Sequence, residues 1–360
     1  MYEPRFDALR RQLLGAALCA ALLGGSLSAV AATAPAGARI NDKFIISGAS
    51  GQLGELAIKE FLARGVPAKN LILVSRSPEK LAEYKKMGAD TRFGDVDKPE
   101  SLATAYQGGT RMLMISLGVG PGTVPGPRAP RHKLAFDAAA KAGVKQIAYT
   151  SFMGADRPNP TGLAADHAQS EAYMRATGVA WTALRNGFYV DMQLASALKM
   201  AETGKAYARP NEVKSAPVTR EDCAAAAVAA LLYPGHENKA YDITGSELVD
   251  TADVARMVAA IVGKPVSVET GSAPGGPGGP GGPGGPGPGG PGGPGGPGGP
   301  GVPGAPGAPG APGAGAAVPG PAEPGTVSNA VAELTGRPAT SFRAVLEANK
   351  AQLLAAAAKR

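Results

Sequence analysis

Cysteine is nearly absent from this chain. It has two in 360 residues, Cys19 and Cys223. Cys19 lies in an amino-terminal apolar run, so the body of the protein holds a single thiol and no intrachain disulfide. Cys223 sits in the helix-like stretch "REDCAAAAVAALL", where a buried small apolar residue is expected rather than a reactive thiol. Histidine is scarce too. The three residues stand far apart in sequence, which disfavours a His/Cys metal cage, and no metal site is expected. There is one Trp, and the Lys and Arg residues behind the net charge of +7 are scattered without a basic run, so no nucleic-acid footprint is present. After the first thirty or so residues, no second hydrophobic run approaches membrane-spanning length.

What is present begins with an export pattern. Arg10-Arg11 are followed by Gln12-Leu13-Leu14 and an apolar run to about Val30, and Ala29-Val30-Ala31 fits a small-x-small cleavage site. Residues 1–31 therefore read as a signal peptide of the twin-arginine (Tat) type, the route for proteins exported already folded. A Sec signal and an uncleaved membrane anchor remain the alternatives, and Leu18 before Cys19 is too large for a usual lipoprotein site. A periplasmic or exported location is expected, with the Tat or Sec machinery as partner.

From Lys43 onward, short apolar runs alternate with helical stretches. "KFIIS", "NLILVS", "DTRFG", "RMLMIS", "KQIAYTS" and "VAWTALR" read as strands, interleaved with helices near residues 53–64, 78–87, 99–107, 129–142 and 164–177. Strands separated by helix-length segments imply βαβ units and a parallel sheet. Between the first strand and first helix stand Gly48, Gly51 and Gly54 in "FIISGASGQLGELAIKEFLARG", residues 44–65. In that context Gly48 permits a tight turn, Gly51 lets backbone approach a pyrophosphate, and Gly54 lets the helix pack against the sheet. The free amides around Ser50, Gln52 and Leu53 then face the phosphates at a helix start.

The second strand ends "LILVSRSPEK", without the Asp or Glu that would bind the ribose hydroxyls of NAD. Arg76 stands there instead, with Lys80 a turn later. A guanidinium suits the 2′-phosphate of NADP, so NADP(H) is expected over NAD(H). Asp95 and Val96, at the tip of the third strand, fall where adenine is contacted, and Ser116 ends the fourth strand beside the cofactor path. The helix after the fifth strand reads "ADHAQSEAYMRATG" and lacks the Tyr-x-x-x-Lys pair of short-chain reductases. His167 and Glu171 hold that spacing and share a helix face, from which they can pair, or His167 can reach nicotinamide or substrate.

The blocks "SGASGQLG", "RAPRHKLAFDAAAKAGVKQIAYTSFMGAD", "GLAADHAQSEAYMRATGVAWTALRNGFY" and "PGHENKAYDITG" closely resemble the NmrA-like atypical short-chain dehydrogenases, and among them the bacterial type-2 NADPH-dependent quinone oxidoreductases. The resemblance runs from about Lys43 to Thr270 and resumes weakly over residues 331–346. It implies a Rossmann-type doubly wound parallel sheet over residues 42–190, a small substrate-side α/β subdomain over 191–273, and a substrate cleft between them. It places Thr150, Ser151 and Phe152 near the nicotinamide and Asn186 and Tyr189 on the substrate side. It also implies hydride transfer from NADPH to a quinone or similar electrophilic carbonyl acceptor, chemistry that needs no strong built-in acid because a hydroquinone anion is stabilised by aromaticity. Asp191 and Met192 stand where the family has an acid and Asn. A nucleotide-binding sensor without turnover is the rival reading, and a nucleotide-sugar epimerase or dehydratase the third.

Residues 274–325 are Gly-Gly-Pro and Gly-Ala-Pro repeats that cannot bury an apolar face. They read as a flexible, polyproline-rich linker interrupting the small subdomain, and predict an open site. Residues 326–360 read as a helical segment. Thr340 or Ser341 is its cap, and Phe342, Val345, Leu346 and Leu353 form an apolar stripe to dock on the small subdomain.

Overall fold

The computed structural model describes residues 38–118, 126–271 and 325–360. The signal, residues 1–31, and all but the last residue of the Gly/Pro tract lie outside the described residues.

Seven strands form one parallel sheet in the order β3-β2-β1-β4-β5-β6-β8. They are β1 (Phe44–Ser47), β2 (Leu71–Ser75), β3 (Asp90–Phe93), β4 (Arg111–Met114), β5 (Gln146–Phe152), β6 (Ala180–Asn186) and β8 (Lys239–Ile243). The order reverses between β1 and β4, which opens a crevice outside their carboxyl ends. β1 and β2 are buried along their whole length, as strands with helices on both faces must be.

Those helices are α1 (Gln52–Ala63), α2 (Ala82–Lys86), α3 (Glu100–Tyr106), α4 (Arg128–Lys141), α5 (Gly162–Ala176), α6 (Val190–Thr203), α7 (Arg220–Leu232), α8 (Thr251–Val262), α9 (Ala330–Thr335), α10 (Phe342–Ala348) and α11 (Lys350–Ala357). One face of the sheet packs Phe44, Ile46, Leu73, Leu113 and Leu184 against α1, α7 and α9. The other packs Ile45, Val74, Met112, Ile147 and Tyr149 against α3, α4 and α5. All six strands expected up to residue 186 form, and the five expected helices correspond to α1–α5, the second preceded by a 3-10 turn at Pro78–Leu81.

The boundary drawn at residue 190 does not divide the layers. α7 and β8 return to the large sheet, where Thr182–Asn186 of β6 pair with Lys239–Ile243. β8 carries no apolar run; it is an edge strand and exposed over much of its length, so its sequence gives no strand signal. α7 is buried from Asp222 to Leu232, because its alanines fit between the sheet, α1 and α9. Cys223 is buried within it, and burial pushes its thiol up.

A third core joins α6, α8, α10 and α11 beside a two-stranded parallel sheet of β7 (Lys205–Ala208) and β9 (Ser267–Thr270). The carboxyl-terminal stripe docks there: Phe342, Leu346 and Leu353 are buried and Val345 packs at the edge. Ser341, not Thr340, caps α10, accepting the Ala344 amide at 3.1 Å. The segment is also tied to α7. The buried Asp222 carboxylate accepts from Arg337 Nη1 at 2.6 Å and from the Thr340 amide at 2.8 Å.

Candidate functional site

At the end of β1 the chain turns sharply. Gly48 has φ +89°, which a side chain rarely adopts, and the amides of Gly48 and Ala49 both donate to Val74 O at 3.1 Å. A Cβ on Gly54 would lie 2.4 Å from Gly48 O and 2.7 Å from Ala49 O, so the first turn of α1 abuts the β1 exit and admits only glycine. Gly51 differs. A Cβ there meets only Gly48 O, at an ordinary 3.4 Å. Among the described residues no atom demands its smallness; the space it leaves lies ahead of α1. The first i→i−4 bond runs from Glu55 to Gly51, and no side chain caps the helix, so the amides of Gln52, Leu53 and Gly54 have no intrahelical partner. This donor set at the positive end of a twelve-residue helix fits a pyrophosphate.

Ser50 Oγ meets Ser75 Oγ at 2.6 Å, and Ser75 Oγ accepts the Ser77 amide at 2.9 Å, which shapes the β2 exit beside the glycine turn. Arg76 leaves this exit exposed, with no hydrogen bond or ion pair to any described residue, and Lys80 is exposed one turn on. Asp95 shapes the β3 exit: its amide donates to Ser101 Oγ at 3.0 Å and its carboxylate accepts the Asp97 amide at 3.1 Å. Ser116 and Thr150 meet where β4 and β5 end. The Ser116 amide donates to Thr150 Oγ1 at 2.8 Å, and that hydroxyl reaches Ser116 Oγ at 3.3 Å.

The other site residues separate onto the two faces of the sheet. Toward α5, Tyr149 Oη lies 2.9 Å from His167 Nδ1, and Arg128 Nη2 lies 3.3 Å from His167 Nε2. Arg128 is a permanent donor, so Nε2 accepts and Nδ1–H donates to Tyr149 Oη. His167 is 3 % exposed, and burial followed by the Arg128 charge lowers its pKa to about 3. The expected pairing of His167 with Glu171 does not form. Glu171 accepts from Ser151 Oγ at 2.6 Å, from Arg185 Nε at 2.9 Å and Nη2 at 3.0 Å, and from Arg175 at 2.7 Å. A fully charged fork on β6 outcompetes a neutral imidazole for a buried carboxylate. Burial pushes Glu171 up, but the hydrogen bonds from Arg185 and Ser151 outweigh it and hold the carboxyl below its ordinary range. The Ser151 hydroxyl is thereby committed to Glu171.

On the opposite face, Asn186 is 3 % exposed; its Nδ2 donates to Tyr189 Oη at 3.3 Å and its buried Oδ1 has no hydrogen-bond partner among the described residues. Arg220, the first residue of α7, stacks 4.4 Å above the Tyr189 ring and pairs with Asp191 at 2.5 Å. Burial pushes the Tyr189 phenol up to about 12. Phe188 and Met192 are exposed, and Phe188 meets Phe152 edge to face at 5.3 Å.

Sequence reasoning missed Arg128, His132, Tyr149, Arg185 and Arg220. A signal existed for two of them. Arg128 and His132 share the helical face of Ala135, Phe136 and Ala139, and polar residues on a core-facing stripe mark a buried network.

A family of NAD(P)H-binding proteins matches residues 48–234, more than half of the chain, from the glycine turn to the end of α7. Quinone oxidoreductase 2 of Escherichia coli (strain K12) is 37% identical over 224 residues, spanning 62% of this chain and 76% of its own length. An NAD(P)H azoreductase of Xenophilus azovorans is 30% identical over 223 residues, spanning 62% and 74%. The crystal structure of Citrobacter sp. triphenylmethane reductase complexed with NADP(H) superposes with a TM-score of 0.59 at 32% identity, over 64% of this chain and 79% of that one. Glycine turn, strand order and these likenesses agree: the chain belongs to the NAD(P)H-binding, NmrA-like family.

Proposed function

We propose that this protein is an NADPH-dependent oxidoreductase that reduces a quinone or a similar electrophilic carbonyl without a tyrosine–lysine acid pair. The observation that carries the reading is the exposed Arg76 at the β2 exit, without a partner among the described residues, beside the turn whose amides fit a pyrophosphate. A cation and no carboxylate at that tip favours a ribose 2′-phosphate over a bare 2′-hydroxyl. The bound dinucleotide supplies hydride. The residues of the chain supply the grip through Gln52, Leu53, Gly54 and Arg76, and orientation through Ser116 and Thr150. Asn186 and Tyr189, joined through Asn186 Nδ2 and Tyr189 Oη, face the acceptor on the substrate side. His167 stays neutral and engaged, so the proton for the product oxygen comes from solvent or a weak donor.

The test compares NADPH and NADH titrations of the native protein and Arg76→Asp, followed by cofactor oxidation with a panel of quinones. The variant is expected to lose roughly 10- to 100-fold in NADPH affinity, the worth of a charge-assisted contact, and little for NADH. Equal losses overturn the cofactor choice. The saturated hydrogen bonding of His167 favours a second reading, a nucleotide-binding sensor, which NADPH binding without oxidation by any acceptor supports. Export is part of the proposal, with the nucleotide loaded before passage; protein recovered consistently empty from the periplasm counts against it.

A further inference from the structure

The chain leaves β4 through Ile115, Ser116 and Leu117, directly opposite the glycine turn: a Cβ on Gly48 would meet Ile115 Cβ at 3.3 Å. One turn of α4 grips this exit. The Leu117 amide donates to His132 Nε2 at 3.0 Å, and the Leu117 carbonyl accepts from Arg128 Nε at 2.9 Å. Both backbone polar groups of one residue, Leu117, are thus held by two side chains four residues apart. Each side chain is anchored in turn. His132 Nδ1–H donates to Ser170 Oγ at 2.8 Å, and that hydroxyl donates to Asp166 O at 2.8 Å. Arg128 reaches His167 as described. His132 is fully buried and Arg128 is 7 % exposed. Burying an imidazole and a guanidinium is costly, and an ordinary strand exit hydrogen-bonds to water instead. The expense goes into fixing the backbone of one residue, Leu117, beside the crevice.

We propose that His132 and Arg128 are positioning residues that hold the Ser116–Leu117 exit in the shape the cofactor crevice requires. This rests on the NADPH reading above. If the exit relaxes, Ser116 leaves Thr150 and Ile115 crowds the Gly48 turn, so nucleotide affinity falls while the acceptor side is untouched.

Two substitutions separate this role from simple stability. In His132→Asn the amide reaches Ser170 as Nδ1 does but not Leu117; in His132→Gln the side-chain oxygen stands where Nε2 stood and keeps the Leu117 bond. His132→Asn gives up the Leu117 bond and His132→Gln the contacts of Nδ1 with Ser170 Oγ and Tyr149 Oη, so both lower the melting temperature, the second at least as much as the first. His132→Asn is expected to raise the Kd and KM for NADPH about tenfold, with the acceptor KM unchanged, and to speed hydrogen exchange at the Leu117 amide. His132→Gln is expected to stay within about twofold of the native Kd and to keep Leu117 protected. If His132→Asn does not fold, Arg128→Lys, which keeps the charge and loses the Nε donor to the Leu117 carbonyl, carries the same expectation for the Kd and KM of NADPH. Native protein that fails to bind NADPH overturns the cofactor reading and this inference with it. Native protein that binds, alongside a folded His132→Asn with native affinity and Leu117 protection, overturns this inference alone.

Discussion

The two buried imidazoles make the fold sensitive to mild acid. Burial first, and then the Arg128 guanidinium, lowers His132 and His167 from 6.5 to about 3. In the unfolded chain both take a proton near pH 6.5. Above that pH neither state is protonated and the pair adds no pH dependence. Below it the unfolded chain binds protons that the fold refuses, so stability is full above pH 6.5 and is lost progressively toward pH 3. Each histidine contributes a slope of up to about 1.4 kcal/mol per pH unit. Between pH 7.5 and 5.0 the pair removes about 4 kcal/mol, a large share of the roughly 5–15 kcal/mol that holds a domain together. His236, half-buried and also lowered by burial, adds a smaller slope of the same sign. Ordinary carboxylates titrate mostly below this window. Urea unfolding at pH 7.5, 6.5, 5.5 and 5.0 measures the slope, and His167→Gln should roughly halve it. A stability that stays level from pH 7.5 to 5.0 means the imidazoles accept protons in the fold, and the neutral network is then wrong.

Gly54→Ala drives a methyl into Gly48 O and Ala49 O; melting should show a loss of roughly 1–3 kcal/mol, and titration the loss of NADPH binding. Asp222→Ala frees Arg337 and the Thr340 amide. It should cost roughly 1–3 kcal/mol and make the segment around residues 336–341 the first site of limited proteolysis; unchanged cleavage argues that the third core alone holds the tail. Replacing Arg10 and Arg11 by lysines should keep the protein in the cytoplasmic fraction if export follows the twin-arginine route, whereas undiminished periplasmic protein points to Sec.

Much of the large sheet was legible because it is a local signal. Runs such as Phe44–Ser47 and Leu71–Ser75 are apolar on both faces, and Pro78, Pro99, Gly65 and Gly143 punctuate the helices between them. The glycine turn was legible for the same reason, and the structure supplies its cause in the 2.4 Å that separates a Gly54 Cβ from Gly48 O. What stayed hidden depends on distant partners. β8 is a strand only because β6 offers its edge, and Glu171 turns from His167 only because Arg185 arrives from β6. No spacing within α5 reveals that competition. The Leu117 clamp likewise joins residues 15 apart across an exit whose length no pattern sets.

On the proposed function, the two faces also account for a reductase that works without a built-in acid. His167, which with Glu171 holds the tyrosine–lysine spacing of short-chain reductases, joins Tyr149, His132 and Arg128 in one hydrogen-bonded network, with burial pushing Tyr149 up and both histidines down. Each shift favours the neutral form, so neither imidazolium nor tyrosinate forms near neutral pH, and the network holds shape instead of moving protons. Catalysis by such a site must come from holding donor and acceptor in contact. That suits an acceptor whose reduced anion is already stable, and it predicts rates nearly independent of pH from 6.5 to 8.5 with quinones. A bell-shaped kcat profile centred in that range would place a titrating acid in the reaction and remove the argument for a purely positional site.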